Sequence, residues 1–279
     1  MDIQLYLFKL SLISLMKKSK VSILMTVYNH QDYVKKAIIS ILSQSYKNFE
    51  LIIINNGSTD NTGRILKEFK DRRIRFFQFK KNIGRTKCLN FGLKKCIGDF
   101  IAIQDSDDTS KKNRIKILLN HLLKDKNLGL VASNYSIINE NDKIIKKVNT
   151  YDNLYNHPKK LIFKNLIAHS TVMYKKKILK TVGNYPKNFI YAQDYAFYLK
   201  IINKFQIRLI RNNLANLRIN HTNSETFRSR KSTSIQIEEL KLVWWIIRNI
   251  KTNLYEKLKI FYKVILISGK ILRSFFYLI

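Results

Sequence analysis

The sequence predicts an α/β fold: a mainly parallel sheet flanked by helices, followed by a basic helical tail. Two observations carry that prediction. Short apolar runs alternate with segments of helical periodicity as far as about residue 125, the pattern of consecutive βα units. The fourth run, Gly98-Asp99-Phe100-Ile101-Ala102-Ile103-Gln104, ends abruptly in Asp105-Ser106-Asp107-Asp108, so a core strand directs three carboxylates at its C-terminal end. Ligands of open α/β sheets collect in the crevice beyond those ends.

Val21 to Val27 reads as the first strand, and Asp32 opens a helix with Val34, Ala37, Ile38, Ile41 and Leu42 at helical spacing. Glu50 to Ile54 is the second strand. It runs into Asn55-Asn56-Gly57-Ser58-Thr59-Asp60, turn formers that cap a helix carrying Ile65, Leu66 and Phe69. A third strand, Ile74 to Phe79, leads through Asn82-Ile83-Gly84 into a helix with Leu89, Phe91 and Leu93. After the acidic strand, Lys111 to Lys124 is helical, and a plain alternative for the acidic cluster is a cap on that helix. Leu128 to Ser133 is a fifth strand, while Tyr135 to Tyr155 is polar and lysine-rich with strand-like fragments.

A chain of 279 residues with 46% hydrophobic content suits one α/β domain with an appendage. The formal charge of +33 suits an anionic polymer, membrane surface or substrate. Its lysines are nevertheless scattered among abundant Ile and Asn, a composition that an A/T-rich genome also produces. Without zinc-finger spacing, an RNP-like motif or a compact arginine block, no nucleic-acid partner is expected. Neither a dinucleotide fingerprint nor a P-loop occurs. Cys88 and Cys96 are poorly spaced for zinc or a disulfide, which points to a reducing compartment. Ile3 to Met16 is apolar but interrupted by Lys9 and too short to span a bilayer. Residues 1–19 are therefore expected to be an extension, with Met16 an ordinary start; 20–225 form the main domain and 226–279 the tail.

Four ordered motifs, Val21 to Asn29, Asn56-Gly57-Ser58-Thr59-Asp60, Asn82-Ile83-Gly84 with Asn90-Phe91-Gly92, and Gly98-Asp99 leading to Asp105-Ser106-Asp107-Asp108, resemble those of the family 2 glycosyltransferases. The resemblance runs from about Val21 to about Ser224. It implies the GT-A fold, a Rossmann-like sheet, and an inverting transfer from a nucleotide-diphosphate sugar to a saccharide or lipid-linked acceptor. Such enzymes often build bacterial surface polysaccharide or glycolipid, which implies a cytoplasmic protein, peripheral on the inner face of the membrane.

Under this resemblance Asp105 and Asp107 match the Asp-x-Asp motif that holds Mn²⁺ or Mg²⁺ on the donor diphosphate, with Ser106 between them and His221 a further candidate ligand. Asp194, in Gln193-Asp194, matches the general base of a Glu-Asp pair whose glutamate is here an amide. The alternative for Asp194 is a helix cap. Thr26, Tyr28, Asn55 and Asn56 fall where the family holds the nucleobase, UDP being expected; asparagines replace the usual aspartates, and a plain turn is the competing reading. Lys87 falls where a basic residue often approaches the donor, although a solvated lysine reads equally well. His169-Ser170-Thr171 is placed on the acceptor side. Rival functions are an inactive nucleotide-sugar-binding protein of the same fold and a basic nucleic-acid-binding protein.

From Ser232 the chain is helical, with Leu240, Trp244, Ile247, Ile250 and Leu254 on one stripe and lysines interleaved. Such a segment suits an anionic membrane surface; covering the domain or forming a dimer seam are the alternatives.

Overall fold

The computed structural model describes residues 3–150, 158–219 and 233–276. A helix, α1 (Ile3–Lys18), precedes the sheet, and the Tyr46 hydroxyl ties its C-terminal end by donating to the carbonyl of Met16 at 2.6 Å and to that of Ser19. The strands β1 (Val21–Val27), β2 (Phe49–Asn55), β3 (Ile74–Gln78) and β4 (Phe100–Ile103) then form a parallel unit in the order β3-β2-β1-β4. Between them run α2 (Val34–Leu42), α3 (Thr62–Glu68) and α4 (Arg85–Lys95).

Burial on both faces explains the near-continuous apolar strands. Ile23, Met25, Leu51 and Ile53 pack with α2 and with Ile115, Leu118 and Leu119 of α5 (Arg114–Lys124). On the other face, Leu24, Ile52 and Ile54 meet Cys88, Leu89 and Leu93 of α4. Gly92 permits this approach, since a Cβ there would lie 2.3 Å from Leu24 Cδ1. Cys88 and Cys96 are buried free thiols that burial pushes up to about 12, so both are unreactive at neutral pH.

The second half departs from the all-parallel alternation. β8 (Met173–Lys175) pairs antiparallel with β4 and with β6 (Leu128–Ile138), and β7 (Ile144–Val148) is a hairpin partner of β6. β9 (Gln206–Arg218) runs parallel to β6 and antiparallel to the two-residue β5 (Thr109–Ser110). The sheet therefore reads β3-β2-β1-β4-β8-β6-β9-β5. β6 reaches β7 without a crossover helix, which forces antiparallel pairing there.

Helix α6 (Leu179–Val182) leads to α7 (Gln193–Ile202), and the tail forms α8 (Thr233–Asn249) and α9 (Leu254–Phe276). α8 buries Leu242, Val243 and Ile246 against Phe189, Tyr195, Ala196 and Leu199, joined by Ile260 and Ile267 of α9. The stripe read from the sequence is divided between the two sides: Leu240 and Ile250 pack against this cluster, whereas Trp244 is 55% exposed and Ile247 47%. α8 carries large apolar residues around most of its circumference, so periodicity alone left its inner face ambiguous. Among the described residues no helix is long and apolar enough to cross a membrane.

Candidate active site

The carboxyl ends of β1, β2 and β4 open on one edge of the sheet, and their loops interlock. Asn29 adopts a left-handed backbone, φ +53°, which asparagine tolerates. Its amide N–H donates to Ser58 Oγ (3.0 Å), and its side-chain oxygen accepts from the Thr59 N–H (2.8 Å). The His30 N–H donates to Thr62 Oγ1 (2.9 Å), and that of Gln31 to Asp60 Oδ2 (3.1 Å). Gly57 is required twice over: φ is +70°, and a Cβ would come within 2.3 Å of the Lys81 backbone. Most of the Asn-Gly-Ser-Thr-Asp motif is therefore loop architecture.

The two asparagines at the end of β2 are also engaged. Asn55 is fully buried and its Oδ1 accepts from both the N–H (3.1 Å) and the hydroxyl (2.6 Å) of Ser58, while its Nδ2 has no partner among the described residues. Asn56 Nδ2 donates to Asn82 Oδ1 (2.9 Å), and its oxygen accepts from the Ile83 N–H (2.8 Å), tying the loops after β2 and β3 together. Thr26 and Tyr28, both half-buried, make no side-chain hydrogen bond among the described residues and remain available to a ligand.

Arg85 reaches the acidic cluster and Lys87 does not. Lys87 is exposed on α4, whereas Arg85 Nη2 lies 2.5 Å from Asp105 Oδ1 and 2.9 Å from His169 Nδ1. His169, 3.3 Å from the same oxygen, sits in a single 3₁₀ turn, His169–Thr171, and its Nε2 is 3.0 Å from the Tyr185 hydroxyl. Burial alone would raise the Asp105 carboxyl, but the Arg85 guanidinium and His169 outweigh it and hold it well below the usual carboxylate range.

Ser106 is buried with its hydroxyl 2.7 Å from His30 Nδ1. Asp107 is half-exposed. Asp108 does not cap α5, whose N-cap is Asn113; it is buried, accepting from the Ser170 hydroxyl (2.5 Å) and the Arg218 N–H (2.9 Å). Burial, then the charges of Asp107 and Asp105, raise it well above the ordinary range. Beneath the cluster lies Arg114, fully buried, donating to Gln104 Oε1 (2.9 Å), Ser110 Oγ (2.7 Å) and the Ile103 carbonyl (2.5 Å). Burial lowers it to about 10 against the pull of Asp108 and Asp105, so it stays cationic at neutral pH.

Asp194 stands in the first turn of α7, half-exposed; the N-cap itself is Ala192. Its Oδ1 accepts from the Tyr195 N–H (2.7 Å), and Asn165 Nδ2 is 3.5 Å from Oδ2. Gln193, oriented by its neighbours, donates from its amide nitrogen to the carbonyls of Ile190 (2.6 Å) and Tyr191 (3.1 Å). A glutamate there would set oxygen against oxygen, which accounts for the amide. Burial first, and then the charges of Asp194 and Asp105, raise the hydroxyls of the buried Tyr185 and Tyr198.

A hard divalent cation fits this donor set. Asp105 keeps Oδ2 outside the contacts with Arg85 and His169, and Asp107 lies two residues along the same loop. Among the described residues no three His, Cys, Asp or Glu side chains form a metal-binding group, so the chain would supply one or two carboxylates here. His221 lies outside the described residues. Arg85, Arg114 and Arg218 escaped sequence reasoning because nothing local separates them from the many other cations.

Residues 22–194 match the sequence model described as Glycosyl transferase family 2. An uncharacterized glycosyltransferase of Methanocaldococcus jannaschii is 30% identical over 90% of this chain and 88% of its own. The Escherichia coli UDP-Glc:alpha-D-GlcNAc-diphosphoundecaprenol beta-1,3-glucosyltransferase WfgD is 31% identical over 84% of this chain and 87% of its own. Among solved structures, S. aureus TarS in complex with UDP-GlcNAc superposes with a TM-score of 0.71 at 18% identity, covering 86% of this chain and 70% of that one. The mannosyltransferase PcManGT from Pyrobaculum calidifontis, in complex with GDP-Man and Mn²⁺, gives 0.65 at 14% identity over 95% of this chain and 81% of its own.

Proposed function

This chain belongs to glycosyl transferase family 2, and on that premise we propose that it moves a sugar from a UDP-sugar donor to a lipid-linked or saccharide acceptor in surface polysaccharide synthesis, with inversion at the anomeric carbon. The observation that carries the reading is the placing of Asp105 and Asp107 in the loop after β4 and of Asp194 at the opening of α7, two segments joined through Tyr185, whose hydroxyl meets His169 beside Asp105 and whose ring packs on Phe197 of α7. The name of the E. coli relative, a glucosyltransferase with UDP-Glc as donor and alpha-D-GlcNAc-diphosphoundecaprenol as acceptor, supports the donor and acceptor classes.

In this reading residues 20–225 are the catalytic unit. Thr26 and Tyr28 hold the base, with Asn56 shaping its border. Asp194 accepts the proton of the acceptor hydroxyl as that oxygen bonds to the anomeric carbon, while the bond to the diphosphate breaks on the opposite face. Asp105 and Asp107 would hold Mn²⁺ or Mg²⁺, which when bound neutralises charge on the departing nucleoside diphosphate. In the tail, α8 and α9 dock on the catalytic unit and meet an anionic membrane at the inner face, a surface that the charge of +33 favours.

Calorimetric titration with UDP, CDP and GDP, with and without Mn²⁺, tests the site. Metal-dependent binding of UDP that Asp107→Asn abolishes is the expected result. Asp194→Ala should keep that binding and lose transfer from UDP-sugars to a diphosphate-linked lipid acceptor. Full transfer by Asp194→Ala, or no nucleotide binding by folded wild type, would overturn the reading.

A further inference from the structure

The loop before Asp194 presents three consecutive backbone N–H groups, and a carboxylate from the tail takes all of them. Glu238 of α8 accepts from Ile190 (2.6 Å, Oε1) and from Tyr191 and Ala192 (each 2.9 Å, Oε2). Only 5% of Glu238 is exposed. It lies on the same stripe as Leu242 and Ile246, the residues by which α8 docks on α7, one and two turns further along. An apolar side chain would ordinarily fill such a position, because a buried carboxylate carries a large desolvation cost. Successive amides directed at one point form an anion-binding nest, and three charge-assisted hydrogen bonds offset that cost.

The other side of the loop is fixed as well. Gln193 donates to the carbonyls of Ile190 and Tyr191, and the Thr86 hydroxyl donates to that of Phe189 (2.9 Å). The loop thus has its carbonyls held from α4 and α7 and its amides held from α8. Ala192 is the N-cap from which α7 starts, and Asp194 follows two residues later. Any tilt of the 190–192 backbone therefore moves the Asp194 carboxylate directly.

We propose that Glu238 is a positioning residue for Asp194: the tail supplies the anion that fixes the base, so that α8 docking is a condition of turnover. The proposal rests on the reading of Asp194 as the base. Gln193 leaves the loop without a carboxylate of its own, and Glu238 brings one from a helix distant in sequence.

The test separates turnover from donor binding in Glu238→Gln and Glu238→Ala, with Asp194→Ala beside them. A misplacement of about 1 Å costs on the order of a hundredfold in rate, so kcat should fall about 10- to 100-fold while the affinity for UDP with Mn²⁺ changes by less than about twofold. Formate, entering the space left by Glu238→Ala and accepting from the same amides, should restore part of the rate. If Asp194→Ala is inactive while both Glu238 variants turn over normally, Glu238 has no such role. Indifference of all three variants would instead remove the base assignment. An equal loss of UDP affinity and turnover in Glu238→Gln also overturns the proposal, since it makes the residue a general support of the fold. Should the variants fail to fold, hydrogen exchange on the wild type decides: the amides of 190–192 should be as protected as those of α8, and exchange at the free rate would overturn the contact.

Discussion

The guanidinium of Arg85 and the carboxylate of Asp105 form an ion pair across the mouth of the site, Nη2 to Oδ1 2.5 Å, with His169 on the same oxygen. The pair keeps Asp105 ionised despite its burial, and this fixes a sign. In Arg85→Met the carboxyl rises, because among these groups His169 alone then opposes desolvation. If ionised Asp105 is needed for transfer, the acid limb of kcat/KM moves to higher pH by about one unit or more. Profiles of wild type and variant carried down to about pH 2.5 measure it, the variant losing activity first as pH falls; superimposable acid limbs over that range would detach Asp105 from turnover.

A second pH effect lies far from the site and concerns stability. Asp71 is lowered to about 2, chiefly by hydrogen bonds from Arg73, whose fork spans both carboxylate oxygens at 3.0 and 2.7 Å. A carboxyl whose folded value is depressed contributes stability above its unfolded value and loses it as pH falls through the folded one, here from about 4 down to about 2. Both partners are partly exposed, so after screening the contribution is about 1 kcal/mol. Urea unfolding should show Asp71→Asn weaker than wild type at pH 7 and equal to it near pH 2.

The sequence reveals the first four strands and the acidic loop because each apolar run is bounded by turn formers and each boundary coincides with a loop of the site. It does not reveal which side chains of those loops face a ligand. Lys87 and Arg85 are two residues apart on one helix, hence about 200° apart around it, and only the seating of α4 on the sheet decides that Arg85 faces Asp105. Asn55 stands in a motif that invites a binding role, yet as the last residue of β2 it is fully buried and turned onto Ser58. The antiparallel insertion of β8 between β4 and β6 depends on pairing between distant segments, which local periodicity does not encode. Glu238 is likewise unremarkable until α8 is laid against the loop at 190–192.

Arg114 should be among the most costly residues to lose. Its guanidinium donates to Gln104, Ser110 and the Ile103 carbonyl under the acidic loop. Arg114→Met removes these three hydrogen bonds, leaving Gln104 Oε1 with the Ser110 hydroxyl alone, and takes away a buried cation that interacts with Asp108 and Asp105; loss of one partner from a buried charge network costs about 3–5 kcal/mol. Chemical denaturation of the variant should show a loss of that order, with the native circular dichroism kept in the absence of denaturant. A change under about 1 kcal/mol would mean that water replaces the guanidinium without penalty.

The tail gives the last prediction. α9 buries Ile260 and Ile267, while Leu254, Leu258, Phe261 and Ile265, at helical spacing on the outer side, are each at least 53% exposed. An exposed apolar stripe of this length marks a surface meant to be covered. Lys251, Lys257 and Lys259 flank it and are exposed, and each basic residue near an anionic bilayer contributes about 1 kcal/mol. Helix and charge together therefore favour a surface-lying position, apolar side chains among the acyl chains and lysines at the headgroups. Sedimentation with vesicles should recover the protein on phosphatidylglycerol-containing bilayers and far less on phosphatidylcholine alone, with binding that weakens as salt rises. Phe261→Glu with Ile265→Glu should abolish it at every salt concentration while leaving UDP affinity intact, because neither side chain belongs to the core or the site. Should the double variant bind vesicles like wild type but sediment as a smaller species in free solution, the stripe is an interface between copies of this chain and not a membrane face.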